Sequence, residues 1–259
     1  MIPQSLHRHL PTAAGNALLV LAASLAAGLA LAGHHTLAER IASDSRSETD
    51  RARDAGRKPA EVLEFLGVEA GMDVIDVMAA GGWYTEVLAH AVGEDGSVAA
   101  QNPDWILAFR DGANDKALAA RLEGDRLPNV YRLDKNFDEL GAGDGPFDVA
   151  LSALNFHDVY NRDGRDAAVA MLESIRGILE PGGVFGIIDH AGDAGADNAA
   201  LHRIEKNKVI EAARAAGFVV EAESDVLSAA SDDRTQMVFA DGLRGQTDRF
   251  VIRLRKPEA

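Results

Sequence analysis

Residues 73–85 read Asp73-Val-Ile-Asp-Val-Met-Ala-Ala-Gly-Gly-Trp-Tyr-Thr85, and the rest of the chain is organised around them. Val74 to Val77 is a short apolar run holding one carboxylate, Asp76. A small-residue turn with Gly81 and Gly82 follows, and Trp83 to Val92 is then amphipathic. These patterns predict a buried strand, a tight turn and a helix, the opening unit of a nucleotide-binding α/β sheet. Small residues let a ligand approach the backbone at the turn, and the first N–H groups of the helix face it. A phosphate-binding loop of the form G-x-x-x-x-G-K-[ST] is excluded, because the stretch has no Lys. The dinucleotide pattern G-x-G-x-x-G matches poorly against Ala80, Gly81 and Gly82 followed by Trp83, Tyr84 and Thr85.

The stretch resembles motif I of the class I S-adenosylmethionine-dependent methyltransferases, roughly hydrophobic-x-D-x-x-x-G-x-G-x-x-T. Asp76 falls on the acidic position, Gly82 on the last Gly and Thr85 on the residue that opens the helix. Ala80 stands where Gly is usual, and Met78 replaces another frequent Gly. The resemblance implies that Asp76, Ala80, Gly81, Gly82, Tyr84 and Thr85 hold S-adenosylmethionine.

The chain has 259 residues with a formal charge of −15, from 26 basic and 41 acidic residues. That balance, with no Lys/Arg stripe, argues against nucleic acid as a partner. At 47% hydrophobic the chain can bury the core of one α/β domain. With no Cys there is neither a disulfide framework nor a site for a lipidated Cys. Ala17 to Ala32 is a run of 16 Ala/Leu-rich residues preceded by Arg8 and ending in the small-x-small sequence Ala30-Leu31-Ala32. A membrane-spanning helix needs about 20 apolar residues, so residues 1–32 read as a signal peptide, with an uncleaved anchor as the alternative. Export to the periplasm follows as an expectation, with no stable membrane span after cleavage. Residues 33–50 are polar and read as a linker, and 51–259 as the folded domain.

Outward from the opening stretch, Arg51 to Leu66 reads as a helical lead-in carrying Arg51, Arg53, Arg57 and Lys58, with Pro59 suited to a first helical turn. Ser97–Gln101 is a second strand, and Ala113–Leu122 is helical. Asn129–Leu133 is a third strand and Val149–Leu151 a fourth, with Asp148 before it. Glu180-Pro-Gly-Gly183 turns into a fifth strand, Val184–Ile188. Val209–Ala216, Phe218–Glu223 and Arg249–Arg255 give a helix and two more strands. The order is that of a doubly wound, Rossmann-like seven-stranded sheet. Ser231–Thr235 and Asp241–Asp248 read as polar loops.

In open α/β sheets the ligand lies beyond the carboxyl ends of the strands. Asn155-Phe-His157-Asp158 follows the fourth strand, Asp189-His190 follows the fifth, and His202-Arg203 opens the next helix. A positioned nucleophile and a base suit methyl transfer, and His titrates near neutrality. His157, oriented by Asp158 or by a backbone carbonyl, is the first candidate base and His190 the second; Asp189, His202 and Arg203 are candidate substrate contacts. The same set could instead bind a divalent metal. It lacks an i, i+4 His pair or other compact ligand spacing, so no metal is expected. There is no G-x-S-x-G elbow of a hydrolase.

Several blocks together are similar to a bacterial group of exported class I methyltransferases of unknown substrate: Arg57-Lys-Pro-Ala-Glu-Val-Leu63, Gly81-Gly-Trp-Tyr-Thr85, Asn155-Phe-His-Asp158, Asp189-His190, Leu201-His-Arg-Ile204, Asp232-Asp-Arg-Thr235 and Thr247-Asp-Arg-Phe250. The likeness covers about Arg51–Lys256. It implies methyl transfer from S-adenosylmethionine to a small acceptor. Strand two ends in Gln101-Asn102 where an acidic residue usually binds the ribose, Asp134 takes the adenine position, and Asn155 closes the cofactor crevice. The alternative is a binding module on the same fold that transfers nothing.

Overall fold

The computed structural model describes residues 35–258, so the run read as a signal peptide lies outside it. Among the described residues no helix is long and apolar enough to cross a membrane. Residues from Thr36 onward form one compact unit.

Seven strands make one sheet: β1 (Asp73–Val77), β2 (Ser97–Gln101), β3 (Val130–Leu133), β4 (Phe147–Ala153), β5 (Leu179–His190), β6 (Val219–Ser224) and β7 (Arg249–Arg255), in the order β3-β2-β1-β4-β5-β7-β6. β1 to β5 run parallel to one another, and β7 runs antiparallel to both β5 and β6. All seven expected strands are present. β1 is buried on both faces from Val74 to Val77, as a central parallel strand covered by helices on both sides must be. Chain order reverses between β1 and β4, which opens a crevice at their carboxyl ends.

One layer of core packs Ile75, Ala150, Phe185 and Ile252 against the helices Arg165–Gly177 and Lys206–Ala215. The other packs Val74, Val149, Leu151 and Ile188 against the helices Pro59–Leu66 and Trp83–Val92. The N-terminal segment differs from expectation. Residues 36–50, read as a linker, fold onto the domain. Thr36 and Glu39 cap the helix Leu37–Ile41, whose i, i+4 apolar pair Leu37 and Ile41 is buried. Arg46 is fully buried in a two-bond pair with Asp54. The single lead-in helix is broken into Glu48–Arg51, Asp54–Arg57 and Pro59–Leu66. Lys58 takes φ 42° ahead of Pro59, whose ring disfavours a helical residue before it.

The two loops read as polar are also partly interior. Arg203 is fully buried and bonds both oxygens of Asp232 at 2.9 and 3.0 Å, while Thr247 is buried and Asp248 accepts from Arg234. Charge alone suggested solvent, but complementary charges from distant segments pair inside.

Candidate functional site

After β1 the backbone turns left-handed at Met78 (φ 54°), Ala80 (φ 50°) and Gly82 (φ 80°). At Gly82 a Cβ would also crowd Leu118 Cδ1 at 2.8 Å, on top of the cost of its left-handed backbone. For Met78 and Ala80 the left-handed region costs about 1–2 kcal/mol each. Bonds from neighbouring strand ends offset it, at a net of about 1 kcal/mol apiece. Gln101 Oε1 accepts from Met78 N at 3.0 Å, Asn102 Oδ1 from Ala80 N at 2.7 Å, and Asn155 Nδ2 donates to the Met78 carbonyl at 2.9 Å. Gln101 Nε2 donates to the Lys135 carbonyl. Both functional groups of Gln101 therefore serve the fold, whereas Asn102 Nδ2 is buried with no partner.

The turn forms one wall of a cavity of about 340 Å³, which Asp76, Ala80, Gly81, Tyr84, Arg53 and Arg57 also line. Asp76 is 3% exposed and accepts from Thr85 Oγ1 at 2.6 Å; burial pushes its pKa up to about 7. The Arg57 guanidinium lies 4.4 Å from the Trp83 ring centroid. Burial, and then the like charge of Arg53, lower its pKa to about 10. Burial pushes the Tyr84 phenol up to about 12, which keeps it a neutral donor.

Arg53 and Arg57 also line a second cavity of about 550 Å³, together with His190, Phe239, Arg244, Thr247, Arg249 and Leu154. Among the described residues Arg57, Arg244 and Arg249 form no ion pair; Arg249 donates to the backbone carbonyls of Thr247 and Gly56. Four guanidiniums on one cavity are a marked local excess in a chain of net charge −15. His190 Nδ1 lies 2.8 Å from Thr247 Oγ1, and burial lowers its pKa to about 3, so the ring is neutral at pH 7. Arg244, Thr247, Arg249 and Phe239 were not among the residues expected to form the site. The resemblance in the block Thr247–Phe250 was the signal that pointed to two of them.

His157 does not line this cavity. It is 3% exposed, and Asp189, fully buried, bonds its Nδ1 at 2.7 Å and its backbone N–H at 2.8 Å. Its Nε2 stands 3.3 Å from Asp158 Oδ1 without hydrogen-bond geometry. Burial opposes the charged ring, but Asp189 and then Asp158 outweigh it and raise its pKa. His202 is half exposed, with Nδ1 3.6 Å from the same Asp158 oxygen. Asp189 and Arg203, expected to meet a substrate, are instead buried supports, the first beneath His157 and the second paired with Asp232. Asp134 is exposed, bonds Arg132, and lines neither cavity.

No protein-family model matches the chain. The ubiquinone/menaquinone biosynthesis C-methyltransferase UbiE of Shewanella piezotolerans is 30% identical over 129 residues, which are 49% of this chain and 46% of that protein. The chain thus matches about half the length of the curated relatives. A SAM-dependent methyltransferase from Aquifex aeolicus superposes with a TM-score of 0.57 at 20% identity, covering 83% of this chain and 99% of that one. The fold is that of the class I methyltransferases. The [4+2]-cyclase SpnF shares it, with a TM-score of 0.58 at 19% identity over 84% of this chain and 86% of that one. The fold therefore does not by itself settle the chemistry.

Proposed function

We propose that this protein is an S-adenosylmethionine-dependent methyltransferase acting on a small anionic acceptor. The observation that carries the reading is the pair of cavities meeting at Arg53 and Arg57, one on the motif I turn and the other lined with arginine. S-adenosylmethionine, when bound, supplies an electrophilic methyl group on a sulfonium for in-line displacement. The first cavity fits its amino-acid end: Asp76 is a buried acceptor for an ammonium, and Arg57 and Arg53 offer donors to a carboxylate. At the end of β2, Asn102 Nδ2 is a buried donor in need of a partner.

In the second cavity Arg244 and Arg249 hold the anionic group of the acceptor. Neutral His190, anchored through Nδ1 by Thr247, offers Nε2 to it. A non-catalytic binding module is the second reading, favoured by Gln101, whose side chain is committed to the turn. Export adds to it, because S-adenosylmethionine is made in the cytoplasm. We place the mature protein outside the cytoplasm on the strength of residues 1–32; N-terminal sequencing of the cell-derived protein tests that placement.

Calorimetric titration with S-adenosylmethionine and S-adenosylhomocysteine tests the main reading. Micromolar binding of both, about −8 kcal/mol, is expected, with loss in Asp76→Ala and in Arg57→Ala. Absence of heat from folded protein would leave the binding-module reading in place.

A further inference from the structure

Three acceptor atoms converge at the rim of β4 and β5: His157 Nε2, Asp158 Oδ1 and His202 Nδ1, all within 4.8 Å of one another. Asp158 Oδ1 is 3.3 Å from the first nitrogen and 3.6 Å from the second. His157 is fixed in this orientation. Asp189 accepts from its Nδ1 and its backbone N–H, and also from the backbone N–H of His190 at 2.7 Å, so the carboxylate is itself immobilised. A carboxylate on Nδ1 makes that nitrogen the protonated one and leaves the Nε2 lone pair directed at Asp158. Nε2 is buried and has no hydrogen-bond partner. An imidazole lone pair, a carboxylate oxygen and a second imidazole this close repel one another unless a positive charge, either a proton on Nε2 or a metal ion, lies among them.

We propose that His157, Asp158 and His202 bind a divalent transition-metal ion, with Asp189 as the carboxylate that orients His157. Two imidazoles and one carboxylate are a borderline donor set, suited to Zn²⁺ and its first-row neighbours and poorly suited to Mg²⁺ or Ca²⁺, which prefer all-oxygen sites. Three protein ligands leave positions open for water or a substrate oxygen. The site borders the arginine-lined cavity: the His157 ring is 5.8 Å from that of His190, the His202 ring is 5.2 Å from that of Phe239, and both neighbours line the cavity. These residues belong to the set that could bind a metal, but the sequence shows no compact ligand spacing because they come from two segments some 45 residues apart. His202 takes a left-handed backbone, φ 53°, at the end of the helix Asn198–Leu201.

The inference does not depend on methyl transfer, and its test uses no S-adenosylmethionine. The full chain, stripped with chelator, is titrated with Zn²⁺ by calorimetry and with Co²⁺ by visible absorption. One ion per chain is expected at micromolar affinity or tighter, with a Co²⁺ spectrum of low coordination number and histidine ligation. Asp158→Asn and His202→Ala, both at partly exposed positions, should each weaken binding about tenfold or more while the circular dichroism stays that of the parent. A histidine variant away from the site, His90→Ala, should leave it unchanged. The proposal is overturned if folded protein takes up no stoichiometric ion. It is also overturned if uptake survives Asp158→Asn and His202→Ala intact, or if Mg²⁺ competes at equal concentration.

Discussion

Gln101 Oε1 accepts the backbone N–H of Met78 at 3.0 Å, tying the end of β2 to the first left-handed residue of the turn after β1. The position where an acidic residue is usual for ribose binding is thereby used to shape the turn. Gln101→Glu keeps the acceptor but removes the donor to the Lys135 carbonyl and buries a charge. A loss of about 1–3 kcal/mol in chemical denaturation is expected, with no gain in S-adenosylmethionine affinity. Tighter cofactor binding in the Glu variant would show that this side chain reaches the ribose after all.

Ala80 adopts φ 50° with its side chain only partly buried, so Gly there relieves strain and loses little packing. Ala80→Gly should be neutral or stabilising by up to about 1 kcal/mol by thermal melting. Met78→Gly relieves the same strain but empties a fully buried site, at about 2–5 kcal/mol on the scale of buried truncations, so it should be clearly destabilising. Equal effects at the two positions would contradict the account.

Asp76 has its pKa raised to about 7, mainly by burial. In the ligand-free fold the protonated acid is therefore the favoured form below about pH 7. Its contribution to stability is fully present below the unfolded carboxylate range near 4 and is lost as pH rises toward 7. A ligand ammonium needs the opposite form. Affinity for S-adenosylmethionine should rise severalfold between pH 6 and about pH 7.5 and fall again above about pH 8, where the ligand's own α-amino group loses its proton, and Asp76→Asn should be weak and lack the rising limb. Calorimetry at four pH values checks both slopes.

Arg203 and Asp232 are both buried and share two bonds, with the Gln236 and Ala191 carbonyls also on the guanidinium. Arg203→Ala strands a carboxylate inside and should cost about 3–5 kcal/mol. Arg203→Met, paired with Asp232→Leu, should recover much of it. Denaturant midpoints of the two variants decide between a structural and a ligand-facing Arg203.

The sheet was legible because its strands announce themselves locally. Val74–Val77 and Val184–Ile188 are apolar runs bounded by Gly-containing turns, and Arg249–Arg255 alternates. The motif I turn was legible for the same reason. Residues 36–50 were not, because Arg46 and Asp54 are polar letters whose burial depends on finding each other. Asp189 and Arg203 were placed at the right rim, but a sequence cannot say which way a side chain at a strand end faces; both turn inward. The arginines of the second cavity come from residues 53–57 and 244–249, segments that only the antiparallel β7 brings to one place.

Arg53 and Arg57 form a common wall between the two cavities, so neither cavity has an electrostatic character of its own. A carboxylate settling against Arg57 from one side spends the positive potential that an anion on the other side would feel. The two occupants are therefore thermodynamically linked, and by reciprocity each weakens or strengthens the other by the same factor. The ligand that neutralises the shared guanidiniums first decides how strongly the remaining arginines, Arg244 and Arg249, must recruit the second.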